Sequence, residues 1–155
     1  MSDSDFTIRP EGEAAVIAQM SFGAKPEALR RALTDPEMLA KWMGAPEAPL
    51  KVCEVDARPG GRFRLAWAFP DGTQAWSAGV FETLAEDRIG HTEAHRPDWT
   101  GGETRVVKQI RAHEGRTWLR QATRFSGPMA RGAALGSMAP GVQASWARLA
   151  EVLKG

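Results

Sequence analysis

Cysteine, histidine and lysine side chains could do chemistry in this chain, and their spacing decides which kind. Cys53 is the sole cysteine in 155 residues, so neither an intrachain disulfide nor a multi-cysteine zinc site can form. A nucleophilic thiol needs a nearby cation or helix N-terminus to lower its pKa. Cys53 instead stands mid-strand beside Val52 and close to Val55, and reads as a small buried hydrophobe. His91 and His95 have the spacing of a helical metal pair, but four residues of strand span roughly 13 Å, too far to share one ion. Both are expected at the surface, and His113 stands in a turn without a partner. The glycine pairs at 60–61 and 101–102 are not followed by Lys-Ser/Thr or set in a GxGxxG pattern, and no GxSxG elbow occurs. The expectation is therefore no catalytic residue, no metal ligand and no cofactor.

The positive signal comes from register. A hairpin closing at His113-Glu114-Gly115-Arg116 places Ile110 opposite Leu119, Lys108 opposite Gln121 and Val106 opposite Thr123. Lys108 and Gln121 then share a face with apolar residues, where a dry core would not tolerate an unpaired ammonium. Either that end of the sheet is wet or a ligand group meets them. Phe63, Leu65, Trp67 and Phe69 alternate with Arg62, Arg64, Ala66 and Ala68, the pattern of a half-buried strand. Asp71-Gly72 signals a tight two-residue turn, which would set Trp67 opposite Trp76 and Leu65 opposite Ala78. The candidate ligand cavity is accordingly Leu65, Trp67, Phe69, Trp76, Lys108, Ile110, Leu119, Gln121, Met138, Val142 and Trp146. The bland alternative is that these rings simply fill a core.

The elements that must position these residues are legible in outline. Residues 1–12 are polar and unpatterned and are expected to form a flexible lead-in to a single domain over 13–155. Ala14–Phe22 alternates as a first strand. Pro26 and Asp35-Pro36 each open a short helix, with Leu29, Ala32 and Leu33 and then Leu39, Trp42 and Met43 facing inward. Strands follow near Val52–Asp56, Arg62–Phe69, Gly79–Leu84, Arg88–Ala94, Glu103–Ala112 and Arg116–Arg124, with an exposed Trp99 in a loop over Pro97–Gly102. Val142, Trp146, Leu149 and Leu153 then repeat at helical spacing behind Pro140. Residues 127–139, rich in Gly, Ala and Met, have no firm period and read as a connector or as a gating segment. One amphipathic helix on a curved antiparallel sheet is an α+β solution.

Composition excludes several classes. The hydrophobic fraction is 43%, the charged fraction 25% and the net charge +1, which gives no reason to expect nucleic acid or membrane as a partner. No aromatic pattern of an RNA-binding sheet is present. With no signal-peptide run and no membrane span, a cytoplasmic protein is expected. Arg62, Arg64, Arg105, Arg111, Arg120 and Arg124 fall on the outer face of the sheet. They form either a solvated surface balanced by Glu82, Glu86 and Glu103, or a docking site for an acidic protein. Homodimerisation is left open.

Ala32-Leu33-Thr34-Asp35-Pro36-Glu37, Trp42, Val55-Asp56, Arg58-Pro59-Gly60-Gly61 and Asp71-Gly72 together resemble the START-like superfamily. The specific branch is the one related to the activator of the ninety-kilodalton heat-shock chaperone ATPase. The resemblance spans roughly Ala14 to Leu153. It implies a helix-grip fold of about six or seven strands, with two short helices after the first strand and a long C-terminal helix closing a cavity. It departs from the branch where Val142 stands in place of a tryptophan and Glu86-Asp87 in place of a proline pair. The matching residues define architecture rather than an active site. The function expected is binding of a small hydrophobic molecule in that cavity. Two alternatives stand beside it: a chaperone-associated or other protein-interaction module, and an enzyme of cyclase or hydrolase type acting on a hydrophobic metabolite.

Overall fold

A proline stands at the first position of all three helices, where its missing N–H breaks no hydrogen bond. The computed structural model describes residues 5–154. Its helices are α1 (Pro26–Thr34), α2 (Pro36–Trp42) and α3 (Pro128–Lys154). Asp35 separates the first two and caps the second, its carboxylate accepting from the Glu37 amide at 3.0 Å. The Trp42 indole N–H donates to the Ala32 carbonyl and that of Trp67 to the Met43 carbonyl, both at 2.9 Å. These two bonds tie α2 to α1 on one side and to the sheet on the other.

Eight antiparallel strands form one curved sheet: β1 (Thr7–Glu11), β2 (Ala15–Phe22), β3 (Leu50–Val55), β4 (Arg62–Ala68), β5 (Gln74–Ala85), β6 (Arg88–Arg96), β7 (Thr104–His113) and β8 (Arg116–Arg124). Their spatial order is β1-β2-β8-β7-β6-β5-β4-β3. The α+β helix-grip expectation holds, with more strands than six or seven. The additional strand is β1, inside the segment expected to be a flexible lead-in. It pairs with β2 from Thr7↔Gln19 to Glu11↔Ala15. Its polar, proline-containing sequence is that of a sheet edge, which hydrogen-bonds on one side only and is protected by charge and proline on the other. Residues 1–4 of that expectation lie outside the described residues.

Two hairpins decide which side chains face inward. The β7–β8 register is the expected one: Val106↔Thr123, Lys108↔Gln121 and Ile110↔Leu119. The β4–β5 hairpin differs by one residue, with Trp67↔Ala75, Leu65↔Ser77 and Ala66↔Trp76. Its turn runs Phe69-Pro70-Asp71-Gly72, closed by Gly72 N–H to the Phe69 carbonyl at 3.0 Å. Gly72 has φ of 88°, and Thr73 N–H returns to the ladder side, bonded to the Asp71 carboxylate at 2.9 Å. This is a three-residue loop ending in a left-handed glycine, not the two-residue turn expected. A one-residue change of register reverses the facing of every partner residue. Trp76 therefore lies on the outer face, where the Arg64 guanidinium sits 4.7 Å from its ring centre, and not in the cavity.

The core lies between the inner face and the helices. Trp146 packs edge-on to Phe6 and Phe22 and joins Leu29, Leu119 and Leu149 in the main cluster. Helix α3 thus sits on the inner face, as expected, but it is longer than Pro140–Lys154. It begins at Pro128 and runs through Pro140. The 127–139 segment is helical from 128 onward, and Ala134 and Met138 pack with Val16 and Phe125 in a second, smaller cluster. In this half Ala134 and Met138 are buried while Gly132, Ala133 and Gly136 are exposed, which leaves no long apolar stripe and is why the helical period was hidden. No helix is long and apolar enough to cross a membrane among the described residues.

Candidate functional site

Strand β6 alternates Ile89, His91, Glu93 and His95 toward one side, and the ladder fixes which side. His91 lies opposite Val106 on β7 and Phe81 on β5, both inner-face residues. His91 is buried at 4% exposure, which corrects the expectation of a surface histidine. His95 is half-buried. Distance along the strand keeps His91 and His95 from sharing a metal but does not decide which way either one faces.

His91 stands between Phe63 and Phe81, with ring centres 5.1 and 6.0 Å away and both contacts edge-on. Its Nδ1 is 3.1 Å from the Thr92 carbonyl, which can only accept, so the proton resides on Nδ1. Its Nε2 is then the acceptor for the Lys108 ammonium at 3.0 Å. Glu93 lines the same space, and its Oε1 accepts from His95 Nε2 at 2.9 Å. His95 in turn lies against Trp99, ring centres 4.9 Å apart. A polar chain thus runs Lys108, His91, Glu93, His95 and ends at Trp99.

Burial, and then the adjacent Lys108 cation, push the His91 pKa down from 6.5 to about 4. Burial also pushes Lys108 down, opposed by the Glu93 carboxylate. For Glu93, burial pulls upward, but the His95 hydrogen bond and the neighbouring positive groups, Lys108 among them, hold it at about 2. The hydrogen bonds leave His91 neutral, accepting from Lys108, with the Glu93 carboxylate lining the same space.

These groups close one end of a cavity of about 60 Å³ whose remaining walls are Leu33, Leu39, Met43, Val55, Phe63, Leu65, Phe81 and Ile89. A second space, an open groove of about 490 Å³, lies between α3 and the sheet end. It is lined by Met43, Trp67, Trp99, Ser137, Met138, Gly141, Val142, Ser145 and Arg148. Met43 borders both. Trp99, 43% exposed, is held there by a loop built on Asp98, whose carboxylate accepts from the amides of Thr100 and Gly102.

The structure brings together only part of the expected lining set. Leu65 and Lys108 face the inner cavity, and Trp67, Met138 and Val142 face the groove. Ile110, Leu119 and Trp146 are packed core residues. Gln121 is Lys108's ladder partner on the inner face but does not border the cavity. Phe69 is 39% exposed at the hairpin end, and Trp76 is outside. Sequence reasoning missed His91, Glu93 and His95, although their alternation with Ile89 was a usable signal. Cys53 is half-buried rather than buried, 3.5 Å from the Pro36 carbonyl. Burial, then the Asp35 carboxylate, raise its pKa, so it stays a thiol. On the outer face Arg64, Arg105 and Arg120 are paired with Glu54, Glu82 and Glu11, which neutralises half of the arginine set.

A single antiparallel sheet gripping a long C-terminal helix, with two short helices feeding the cavity between them, defines the START-like class. Within it, the chain belongs to the family of activator of Hsp90 ATPase homolog 1-like proteins, whose pattern matches residues 23–154. A Rhodobacter sphaeroides protein of known crystal structure is similar at 30% identity, over 97% of this chain and 99% of that one, with a TM-score of 0.90. Protein Ms6760 from Mycobacterium smegmatis shares the fold at 18% identity, over 96% of each chain, TM-score 0.85. A protein from the dynemicin biosynthetic locus also shares it at 21% identity and TM-score 0.68, over 94% of this chain and 48% of that one. No curated protein matches.

Proposed function

We propose that this protein binds a small, mostly apolar molecule, its body in the groove beneath α3 and its polar end at the inner cavity. The observation that carries the reading is the Lys108–His91–Glu93 cluster at the closed end of an apolar space. Buried charges are costly and are kept out of ordinary cores, whereas ligand sites are apolar with a few placed polar groups. Native mass spectrometry of protein purified from its own cells is the direct test. A bound small molecule is expected. Ligand-free protein that also takes up no apolar probe in titration would reject the reading.

A second reading is acid–base catalysis on the bound molecule, favoured by the proton that Lys108 directs at His91 Nε2. A neutral imidazole and a desolvated ammonium in contact can exchange a proton with a ligand oxygen. The dynemicin-locus neighbour is compatible with such a role through its fold alone. Conversion of the co-purified molecule, abolished in His91→Phe and retained at the Arg-rich face variants, would favour this reading. Unchanged ligand after prolonged incubation would remove it. Docking of a chaperone or other protein at the outer face draws less support, because half of its arginines already have carboxylate partners.

A further inference from the structure

The charge balance of the inner cavity restricts what the ligand's polar end can be, an inference that rests on the binding reading above. Lys108 contributes one positive charge and Glu93 one negative, while His91 is neutral because both its nitrogens are committed. The facing walls from α1, α2 and β3 are Leu33, Leu39, Met43 and Val55 and bring no charge. An entering carboxylate would put a second negative charge beside Glu93 among phenyl rings, the two carboxylates competing for Lys108. A neutral oxygen has no such penalty. Among the described residues the Lys108 ammonium makes one hydrogen bond, to His91, so two of its three N–H groups remain to donate.

Size agrees. About 60 Å³ is the share of roughly two water molecules, enough for a carbonyl or hydroxyl and its first carbon. The body must lie elsewhere, and the groove on the other side of Met43, which lines both spaces, offers about 490 Å³. Among the described residues the one charged side chain bordering the groove is Arg148, at its helix side, its Nε donating to the Trp42 carbonyl at 3.0 Å.

We infer that Lys108 selects apolar ligands ending in a neutral hydrogen-bond acceptor, a ketone, aldehyde or alcohol, and that the cavity discriminates against the corresponding carboxylates. The test compares 2-octanone, octanoate and octane, below their solubility limits at pH 7.5, by calorimetry and tryptophan fluorescence. The ketone is expected to bind about tenfold more tightly than octane, as one hydrogen bond to a charged donor allows, and also more tightly than octanoate. In Lys108→Met the ketone's advantage over octane should disappear. Octanoate binding as tightly as the ketone, with loss in Lys108→Met, would overturn the inference while leaving cavity binding intact. So would a ketone no better than octane. Binding by none of the three probes would sink the underlying reading as well. Should Lys108→Met fail to fold, the wild-type His91 Nε2 nitrogen resonance gives the answer. It should shift with 2-octanone and not with octane, because Lys108 reorients only toward an acceptor, and no shift with the ketone overturns the proposal.

Discussion

Protonating His91 would place a second cation 3.0 Å from Lys108 inside a wall of phenyl rings. Its pKa is depressed from 6.5 to about 4, so between those values the unfolded chain takes up a proton that the folded protein refuses. Stability is therefore full above pH 6.5 and falls as pH drops through this window, by about 3 kcal/mol at about 1.4 kcal/mol per pH unit. Urea unfolding across pH should show that decline in wild type and not in His91→Gln, which keeps an acceptor for Lys108. An identical decline in the variant would place its origin elsewhere. Glu93 contributes in the next window: its stabilisation is present above 4.5 and lost as pH falls toward 2. Thr123 is a different kind of residue, a buried hydroxyl whose oxygen has no partner among the described residues. Thr123→Val removes an unsatisfied group at nearly constant shape, and should raise stability by about 1 kcal/mol in thermal unfolding. A destabilised variant would reveal a bridging water at that oxygen.

The strands hold the cluster in place through close approaches. A Cβ at Gly79 would sit 1.8 Å from the Thr92 carbonyl oxygen and 2.6 Å from the Phe63 ring. The obstacle is backbone and a packed aromatic, not a mobile side-chain tip. Gly79→Ala should therefore cost about 1–3 kcal/mol, as overpacking typically does, and should displace Phe63 from His91. Thermal denaturation measures the first and the His91 pKa by NMR the second. Wild-type values in both would show that β5 yields easily. In α3, Pro140 cannot donate to the Gly136 carbonyl, and the halves on either side are anchored differently. The C-terminal half inserts Trp146 and Leu149 into the main core, while the N-terminal half rests on Ala134 and Met138. Trp146→Ala should cost about 3–5 kcal/mol. Amides over 128–139 should exchange faster than those over 141–154, and those near Ser137 and Met138, which border the groove, should slow when 2-octanone binds. Slow exchange without probe, unchanged on adding it, would make the segment a fixed roof.

Taken as one molecule, the fold separates the aromatic residues into groups with different duties. Trp146 belongs to the core, Trp67 and Trp99 border the groove, and Trp76 lies under Arg64 outside the sheet. Uptake of an apolar probe should change the emission of Trp67 and Trp99, so Trp67→Phe should diminish the response and Trp76→Phe should not. A response that vanishes only in Trp76→Phe would move the site to the outer face.

Local chemistry in the chain determined the helix starts at Pro26 and Pro36, the Asp35 cap, the β7–β8 register and hence the inward facing of Lys108. Each depends on neighbours a few residues apart, or on a hairpin whose turn sets its own pairing. The α+β class followed from those elements and from the matching family motifs. What only the tertiary structure decided were the facts that depend on distant partners. A glycine at Gly72 adopting φ of 88° lengthened one loop by a residue and sent Trp76 outward. Pairing with β2 turned a polar edge segment into a strand. His91 and Glu93 became buried because β5 and β7 flank β6 and because Phe63 and Phe81 close over them. A histidine's sequence neighbours do not reveal whether its side of the strand will meet water or a lysine from another strand. That contact forms only when the sheet folds, and it creates the charged cluster beside the cavity.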